Sequence, residues 1–518
     1  MSLALPSPTL PLSAAEVQAR FDALQARLVP LWRAIESLED DGAQTIVVVP
    51  SLTVEYAALR GSVLQAYEER FLFLLLLLRQ PTAHLVYVTS QLIQPAVVDY
   101  YLGLLPGVVP SHARRRLHLL SPQDGAPQPL SIKLLQRPQL LERIRAHIAD
   151  PQRAHLVPFN TTEHERDLAL HLGIPMYGAD PRLLALGTKS GCRKLFREVG
   201  MPLPAGYEDL RGEDDVVRAL QELKREVVAV DHAMVKHDDG VSGEGNAVVD
   251  LTGVDPHRRE DVRERLHAMR TQAEDMTATD FLDKLAEQGG VVEERVRGDA
   301  IVSPSVQLRV TPLGQVELLS THDQLLGGAH GQTFEGCVFP AATAYAARIA
   351  AEARKADERL VREGVLGRYA IDFVCAQTDA GWSPYAIELN LRKGGTTHPY
   401  LTLQFLTDGR YDPEAARFLT ATGQPRHYVA TDALKNPAYR SLTPEDLFDL
   451  SVRYRLHFDP TRQAGVVFHM MSAIGDHGRL GFTAVAPTRA DARTLYDRTV
   501  AVLDREAAAN LEPRPLPD

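Results

Sequence analysis

Cysteine, tryptophan, net positive charge and long apolar runs are all scarce in this 518-residue chain. Its three cysteines, Cys192, Cys337 and Cys375, are too few and too scattered for a disulfide framework or a CxxC-type zinc site. A reducing, cytoplasmic setting fits that scarcity. Lys and Arg number 56 against 67 Asp and Glu, a net charge of −11. Nucleic-acid binders carry the opposite sign, so no nucleic-acid partner is expected. The most apolar run, Phe71 to Leu78 between Arg70 and Arg79, falls well short of the roughly 20 residues that a membrane span needs. It reads as a buried helix or strand, and no membrane partner is expected. The N-terminal stretch has no basic region before its apolar residues, and prolines break it, so it does not read as a signal peptide. No GxGxxG turn follows the first β-rich stretch, which excludes the usual dinucleotide-phosphate turn.

Hydrophobic residues make up 45% and charged residues 24%, enough apolar side chain to rule out disorder throughout. The length suggests about three domains. Residues 13–38 carry apolar side chains at helical spacing. Then TIVVVPS (45–51), a helical stretch (54–79), HLVYVTS (84–90), a third strand within 114–122, a helical stretch (129–148) and HLVPFN (155–160) alternate strand with helix. That order predicts a parallel α/β sheet. From Gly187 the texture changes to a helix ending at Gly200, then a hairpin whose strands (227–236 and 247–251) flank the loop HDDGVSGEGN. A charged helical stretch (256–288), strands at 291–298 and 304–320, a helix over 341–363 and a hairpin over 368–392 follow. The last 95 or so residues read as further α/β structure.

The strongest chemical constellation lies in the 368–392 hairpin. Side chains alternate along a strand, so Asp372 opposes Ile371 and Phe373, while Glu388 and Asn390 oppose Ile387, Leu389 and Leu391. A turn centred on Ala380 sets Asp372 opposite Glu388, with Cβ atoms about 5 Å apart. Ser383-Pro384 is where a bulge would slip this register. Two carboxylates and an amide oxygen on one sheet face suit Mg²⁺, which takes one or two carboxylates plus substrate phosphates. The spacing also fits an exposed polar strand face. Lys236 ends an apolar strand just before the Gly-rich loop, and glycines let backbone N–H groups approach phosphate oxygens. Lys189 in GTKSG is a second phosphate candidate, although the order is not that of a Walker A motif. His322 and Asp323 in STHDQLLGG form a further candidate pair. Arg114-Arg115-Arg116 reads as a solvated surface triplet. HERDL (164–168) breaks HExxH, and GVSGE (240–244) breaks GxSxG.

Taken in order, Lys189, Lys236 with its Gly-rich loop, Glu293 in VVEERVRG, Asp372, and Glu388 with Asn390 in IELNLRKGG resemble an ATP-grasp ligase. EERFLFLLLLLR, GTKSGCRKLF, GQTFEGCVFP and IELNLRKGGTTHP resemble the pheganomycin-type peptide ligases within that group. The resemblance spans about residues 41–510. It implies a fold of α/β and α+β type: a Rossmann-like pre-ATP-grasp domain, a two-lobed ATP-grasp fold and a small C-terminal α/β domain. The expected boundaries are an N-terminal helical segment at 1–40 and a pre-ATP-grasp domain at 41–185. The ATP-grasp domain follows at 186–422, its nucleotide lobe about 186–297 and its metal and substrate lobe about 298–422. A C-terminal domain covers 423–518.

The resemblance also implies roles. Lys189 and Lys236 would hold ATP phosphates under a loop containing Ser242, Gly243 and Gly245. Val292, Glu293, Arg295 and Val296 would form the adenine hinge, with Glu293 near the exocyclic amine and Asp299 near the ribose. Asp372, Glu388 and Asn390 would hold two Mg²⁺ ions, with Mn²⁺ able to substitute. Arg309 and Arg392 are the candidates for the acyl phosphate, because Ala370 stands where some relatives place an arginine. By their position after the metal strand, Gly394, Gly395, Thr396, Thr397 and His398 would line the acceptor side, and His322 and Asp323 are further substrate candidates. The expected activity is ATP-dependent joining of a small carboxylate, an amino acid or derivative, to the amine of an amino acid or peptide, through an acyl phosphate. Phosphoryl transfer and a non-catalytic ATP-binding role are the alternatives. A homodimer, the commonest assembly, is the one considered.

Overall fold

A computed structural model describes residues 12–36, 42–53, 62–227, 229–240, 245–273, 276–327 and 333–511. The first layer is a four-stranded parallel sheet, in the order Leu117–Leu120, Ala83–Val88, Gln44–Val49 and Ala154–Pro158. The central strand QTIVVV is buried at every position, as a parallel sheet covered on both faces requires. The predicted parallel sheet is therefore present. The third strand is shorter than expected, because Pro110–Arg114 is helical. Arg116 is no solvated triplet member: its guanidinium donates to the carbonyls of Leu78 (2.6 Å), Gln80 (2.6 Å) and Ala83 (2.7 Å).

The apolar run is buried, as a 3₁₀ helix over Arg70–Arg79 that follows the α-helix Ser62–Glu69; residues 54–61 of that expected helix lie outside the described residues. The run packs on the helix Thr397–Thr407, with Phe73 and Phe405 rings 6.1 Å apart. It thereby ties the first layer to the loop that follows the carboxylate hairpin.

A five-stranded antiparallel sheet comes next, ordered Gly206–Leu210, Gly290–Glu294, His232–His237, Asn246–Asp250 and Arg270–Thr271. The charged stretch 256–288 is two helices, Arg259–His267 and Ala278–Gln288, separated by that last short strand. Helices Glu213–Glu226 and Ala278–Gln288 bury apolar faces against one side of the sheet.

The largest sheet has nine strands. Its path runs Ala300–Val302, Gly367–Thr378, Pro304–Val310, Val316–Gly327, Thr333–Phe339, His427–Lys435, Arg479–Ala486 and Gly465–His469, and Gly381–Asn390 pairs with Gly367–Thr378. The C-terminal strands thus extend the sheet that carries the carboxylates. No helix among the described residues is long and apolar enough to cross a membrane.

Candidate active site

A cleft of about 470 Å³ opens between the five-stranded and nine-stranded sheets, and Lys189, Lys236, Glu293, Asp372, Glu388, Asn390 and Arg392 all line it. The hairpin that holds the carboxylates pairs Asp372 with Glu388 and Ala370 with Asn390. Nearer the turn the register shifts by one residue, and the bulge falls at Ile387 rather than at Ser383-Pro384. The bulge re-aims Ile387, which joins Glu388 in the wall of the cleft.

Electrostatics in the hairpin are strained by design. Burial and the facing Glu388 push the Asp372 carboxyl up to about 6. Burial also acts on Glu388, but Lys189 and Arg392 override it and hold that carboxyl below its usual range. Lys189 Nζ lies 2.6 Å from Glu388 Oε1. Asp372 accepts from Gln324 Nε2 at 2.9 Å and from Asn390 Nδ2 at 3.1 Å. Two opposed carboxylates and an adjacent amide offer oxygen donors in one place, the set a hard divalent cation takes. Their mutual repulsion is what such a cation relieves, so the residues fit the metal.

The two lysines reach the cleft by different routes. Lys189 begins the helix Lys189–Glu198, whose Thr188 side chain accepts from the Gly191 N–H at 3.0 Å. Asp238 accepts from Ser190 N at 2.8 Å through its carboxylate and from Lys189 N at 3.1 Å through its carbonyl. The helix start is therefore fastened to the end of the Lys236 strand. Lys236 Nζ donates to Glu293 Oε1, and Arg193 donates to Glu293 Oε2 at 3.0 Å. Burial opposes the charge on Glu293, but Lys236 and Arg193 hold its carboxyl below the usual range. Both oxygens of Glu293, expected near the adenine amine, are thus engaged by protein cations. Ser242 and Gly243 lie outside the described residues. Gly245 stands at the loop base, where an added Cβ would come within 2.8 Å of the Gly240 Cα; only glycine permits that approach.

Arg295 and Val296 line the cleft, and so do the apolar side chains of Pro204, Met234, Ile301 and Phe373. Val292 faces the hydrophobic core between the five-stranded sheet and its helices instead. Asp299 is exposed and does not line the cleft. Arg392 is in the wall, and burial lowers its guanidinium below the usual range. Arg309 is not brought there. Its Nε pairs with Glu317 at 2.6 Å and its guanidinium lies 5.2 Å from the Trp32 ring centre.

His322 and Asp323 are also elsewhere. His322 bonds Tyr428 Oη at 2.8 Å among aromatic rings, where burial lowers its pKa to about 3. Asp323 receives Tyr345 Oη at 2.7 Å and Arg489 at 2.6 Å. Both serve packing. Gly394, Gly395 and Thr396 line the cleft, Thr397 accepts from Gly394 N at 3.0 Å, and His398 is buried against His469 and Asp432. Arg70, Ser305, Gln307, Gln324 and Asp432 line the cleft too, and none was singled out from sequence. Only strand alternation with Asp372's neighbours would have flagged Ser305 and Gln307.

The chain is 30% identical over 446 residues to the L-propargylglycine–L-glutamate ligase of Streptantibioticus cattleyicolor, covering 84% of this chain and 88% of that protein. The chain belongs to the ATP-grasp ligases. Residues 183–278 and 262–414 match the family described as "IQCH-like, ATP-grasp", and residues 446–499 match "PGM1 C-terminal domain". IQ motif-containing protein H of Danio rerio is 24% identical over 403 residues, which cover 68% of this chain and 37% of that longer protein. Among solved structures, biotin carboxylase from Campylobacter jejuni superposes with a TM-score of 0.54 at 14% identity, covering 91% of this chain and 95% of that one. An N5-carboxyaminoimidazole ribonucleotide synthetase in its ADP complex gives 0.52 at 11% identity, covering 90% and 98%. These two likenesses show the fold. The expected ATP-grasp fold with its C-terminal domain is present, and this ATP-grasp ligase uses ATP and a divalent metal to join a carboxylate to an amine.

Proposed function

We propose that this ATP-grasp ligase activates the carboxylate of an amino acid or a close derivative as an acyl phosphate and passes the acyl group to the amine of an amino acid or peptide. The supporting observation is one cleft that gathers two opposed carboxylates, Asp372 and Glu388, with the cations Lys189, Lys236 and Arg392. A relative named for joining two amino acids supports this substrate class. The reading places residues 186–297 and 298–422 as the two lobes that enclose ATP, between a pre-ATP-grasp domain at 41–185 and a C-terminal domain at 423–518.

A carboxylate is a poor acylating agent because oxide is a poor leaving group. A substrate carboxylate oxygen attacks the γ-phosphorus of ATP, the bond to the β-phosphate oxygen breaks, and ADP departs. The amine then attacks the acyl carbon, inorganic phosphate leaves with the bonding electrons, and the amine loses a proton. Two anions must meet in the first step. Lys189 and Lys236 neutralise phosphate oxygens, and Arg392 binds the reacting carboxylate and the phosphoryl group that joins it. Asp372, Glu388 and Asn390 would hold the metal, two Mg²⁺ ions with Mn²⁺ as substitute, whose chemistry is charge neutralisation on the phosphates. Arg193 and Lys236 together keep Glu293 ionised, and Glu293 in turn holds Lys236 in place at the cleft. Pro204, Met234, Ile301 and Phe373 form apolar walls for the adenine, whose polar edge meets the main chain at 293–296.

A hydroxylamine trap tests this reading. Protein, Mg·ATP and pooled amino acids are incubated with hydroxylamine, and ADP and hydroxamate are followed by mass spectrometry. Hydroxamate with ADP supports acyl activation and gives the acid by its mass. ADP with a stable phosphorylated product and no amine dependence would refute it.

A further inference from the structure

Beside the cleft, His398, Asp432 and His469 meet at a point. His398 Nε2 and His469 Nε2 lie 3.0 Å and 2.9 Å from Asp432 Oδ1, and 3.1 Å from each other. All three residues are buried. Hydrogen bonds alone do not satisfy this triangle. A ring nitrogen carries at most one proton. If both Nε2 atoms are protonated, two N–H groups crowd each other. If either is not, its lone pair faces a carboxylate oxygen. With Asp432 ionised, at least one of the three short contacts is left without a hydrogen bond in every proton assignment.

A cation at the centre removes the conflict, because all three atoms then offer it lone pairs. Metal bonds of about 2.0–2.2 Å, at angles between octahedral and tetrahedral, put ligand atoms about 2.8–3.6 Å apart. The observed separations sit at the short end of that range. Gly481 lets the His469 ring approach this closely, because an added Cβ there would lie 2.3 Å from His469 Nε2 and 2.8 Å from the Thr431 carbonyl oxygen. That carbonyl is itself 3.1 Å from His469 Nε2, a fourth donor atom at the cluster. The other carboxylate oxygen, Asp432 Oδ2, accepts from Arg70 at 2.9 Å. Such an outer contact orients a ligating carboxylate and leaves one oxygen free.

We propose that His398, Asp432 and His469 bind one divalent transition-metal ion, of which zinc is the representative, at a site distinct from the carboxylate hairpin. Two imidazoles and one carboxylate suit zinc and its neighbours rather than magnesium, which prefers oxygen. The ligands come from the helix Thr397–Thr407 and from the strands His427–Lys435 and Gly465–His469. The ion therefore staples the loop that lines the acceptor side to the C-terminal strands.

The test uses full-length protein, stripped with chelator and free of nucleotide. Zinc is titrated against a chromophoric chelator, and the zinc-loaded wild type is examined by X-ray absorption. The expected result is one zinc per chain, an affinity about 100-fold or more weaker in His398→Gln and His469→Gln, and unchanged zinc uptake in Glu388→Gln. The absorption spectrum should show two imidazoles at about 2.0–2.1 Å. This readout needs no variant to fold. Zinc uptake by the wild type no tighter than by His469→Gln, a spectrum without imidazole, or uptake lost in Glu388→Gln but kept in His469→Gln would each overturn the proposal.

Discussion

Replacing Glu293 by glutamine separates the scaffold of the phosphate site from its chemistry. In the structure this one carboxylate holds two cations, Lys236 on Oε1 and Arg193 on Oε2 at 3.0 Å, and all three side chains are buried. Glutamine keeps the shape but removes the charge, leaving the buried Lys236 ammonium without this counter-ion and Arg193 with only Glu208, 3.5 Å from its Nε. Removing one partner from a buried ion pair costs about 3–5 kcal/mol. For a domain-sized cooperative unit that lowers the melting temperature by roughly 6–20 °C. Differential scanning fluorimetry at pH 7.5 measures the shift. Phosphate charge near Lys236 replaces part of what the variant lacks, so Mg·ATP analogue should raise the melting temperature of Glu293→Gln more than that of wild type. The pH dependence has a definite sign. Glu293 has a carboxyl held below its ordinary 4.5 by Lys236 and Arg193 against burial. Its stabilisation is full above about pH 4.5 and is lost as pH falls through the lowered folded-state value. The difference between wild type and variant should therefore close in acid. A variant that melts within about 2 °C of wild type, or equal stabilisation of both by nucleotide, would refute the account of Glu293 as the anchor of Lys236.

Four further outcomes follow from the same geometry. Glu388→Ala should lower substrate-dependent ADP formation by at least about 10²–10³-fold; near-normal ADP release would remove Glu388 from the metal site. Arg309→Ala should keep kcat and change stability by no more than about 1 kcal/mol, since its pair with Glu317 is partly exposed; a large kcat loss would restore Arg309 to the chemistry. Thr396→Ala should raise KM for the amine or acid substrate before KM for ATP, and the reverse order in steady-state assays would move Thr396 away from the acceptor side. Burial and Glu388 push the Asp372 carboxyl up to about 6, so below that pH a proton competes with the metal. Mn²⁺ affinity in the presence of ATP, read by electron paramagnetic resonance, should fall about tenfold per pH unit there; a flat profile from pH 7 to 5 contradicts the assignment.

Local periodicity made part of the site legible. Strand alternation placed Asp372, Glu388 and Asn390 on one face, and a turn near Ala380 set Asp372 against Glu388. The pairing survives because a bulge at Ile387 absorbs one residue. Its position depends on what Ile387 meets in the cleft, and Ser383-Pro384 carried no sign of that. The parallel sheet was legible for a similar reason, since β-branched runs alternating with helices leave few other folds. Glu293 and Lys189 show the opposite case. Their partners, Arg193 and Glu388, arrive from other elements, and no spacing within either segment announces the contact.

The two sequence-level arginine candidates show where such reasoning stops. Ser305, Gln307 and Arg309 share one face of the strand Pro304–Val310, and Ser305 pairs with Asp372. Alternation therefore selects the right face for Arg309. At about 3.3 Å per residue, however, Arg309 sits about 13 Å along the strand from Ser305, past the end of the cleft and beside Trp32. Arg392 lies two residues beyond Asn390 on the hairpin's own chain, so it cannot drift as far. Position along a strand is set by where the opposite lobe closes over it, which is a property of two sheets together. The same holds for Arg70 and Asp432. They reach the cleft from the apolar 3₁₀ segment and a C-terminal strand, and only the packing of the first layer against the nine-stranded sheet joins them there as an ion pair.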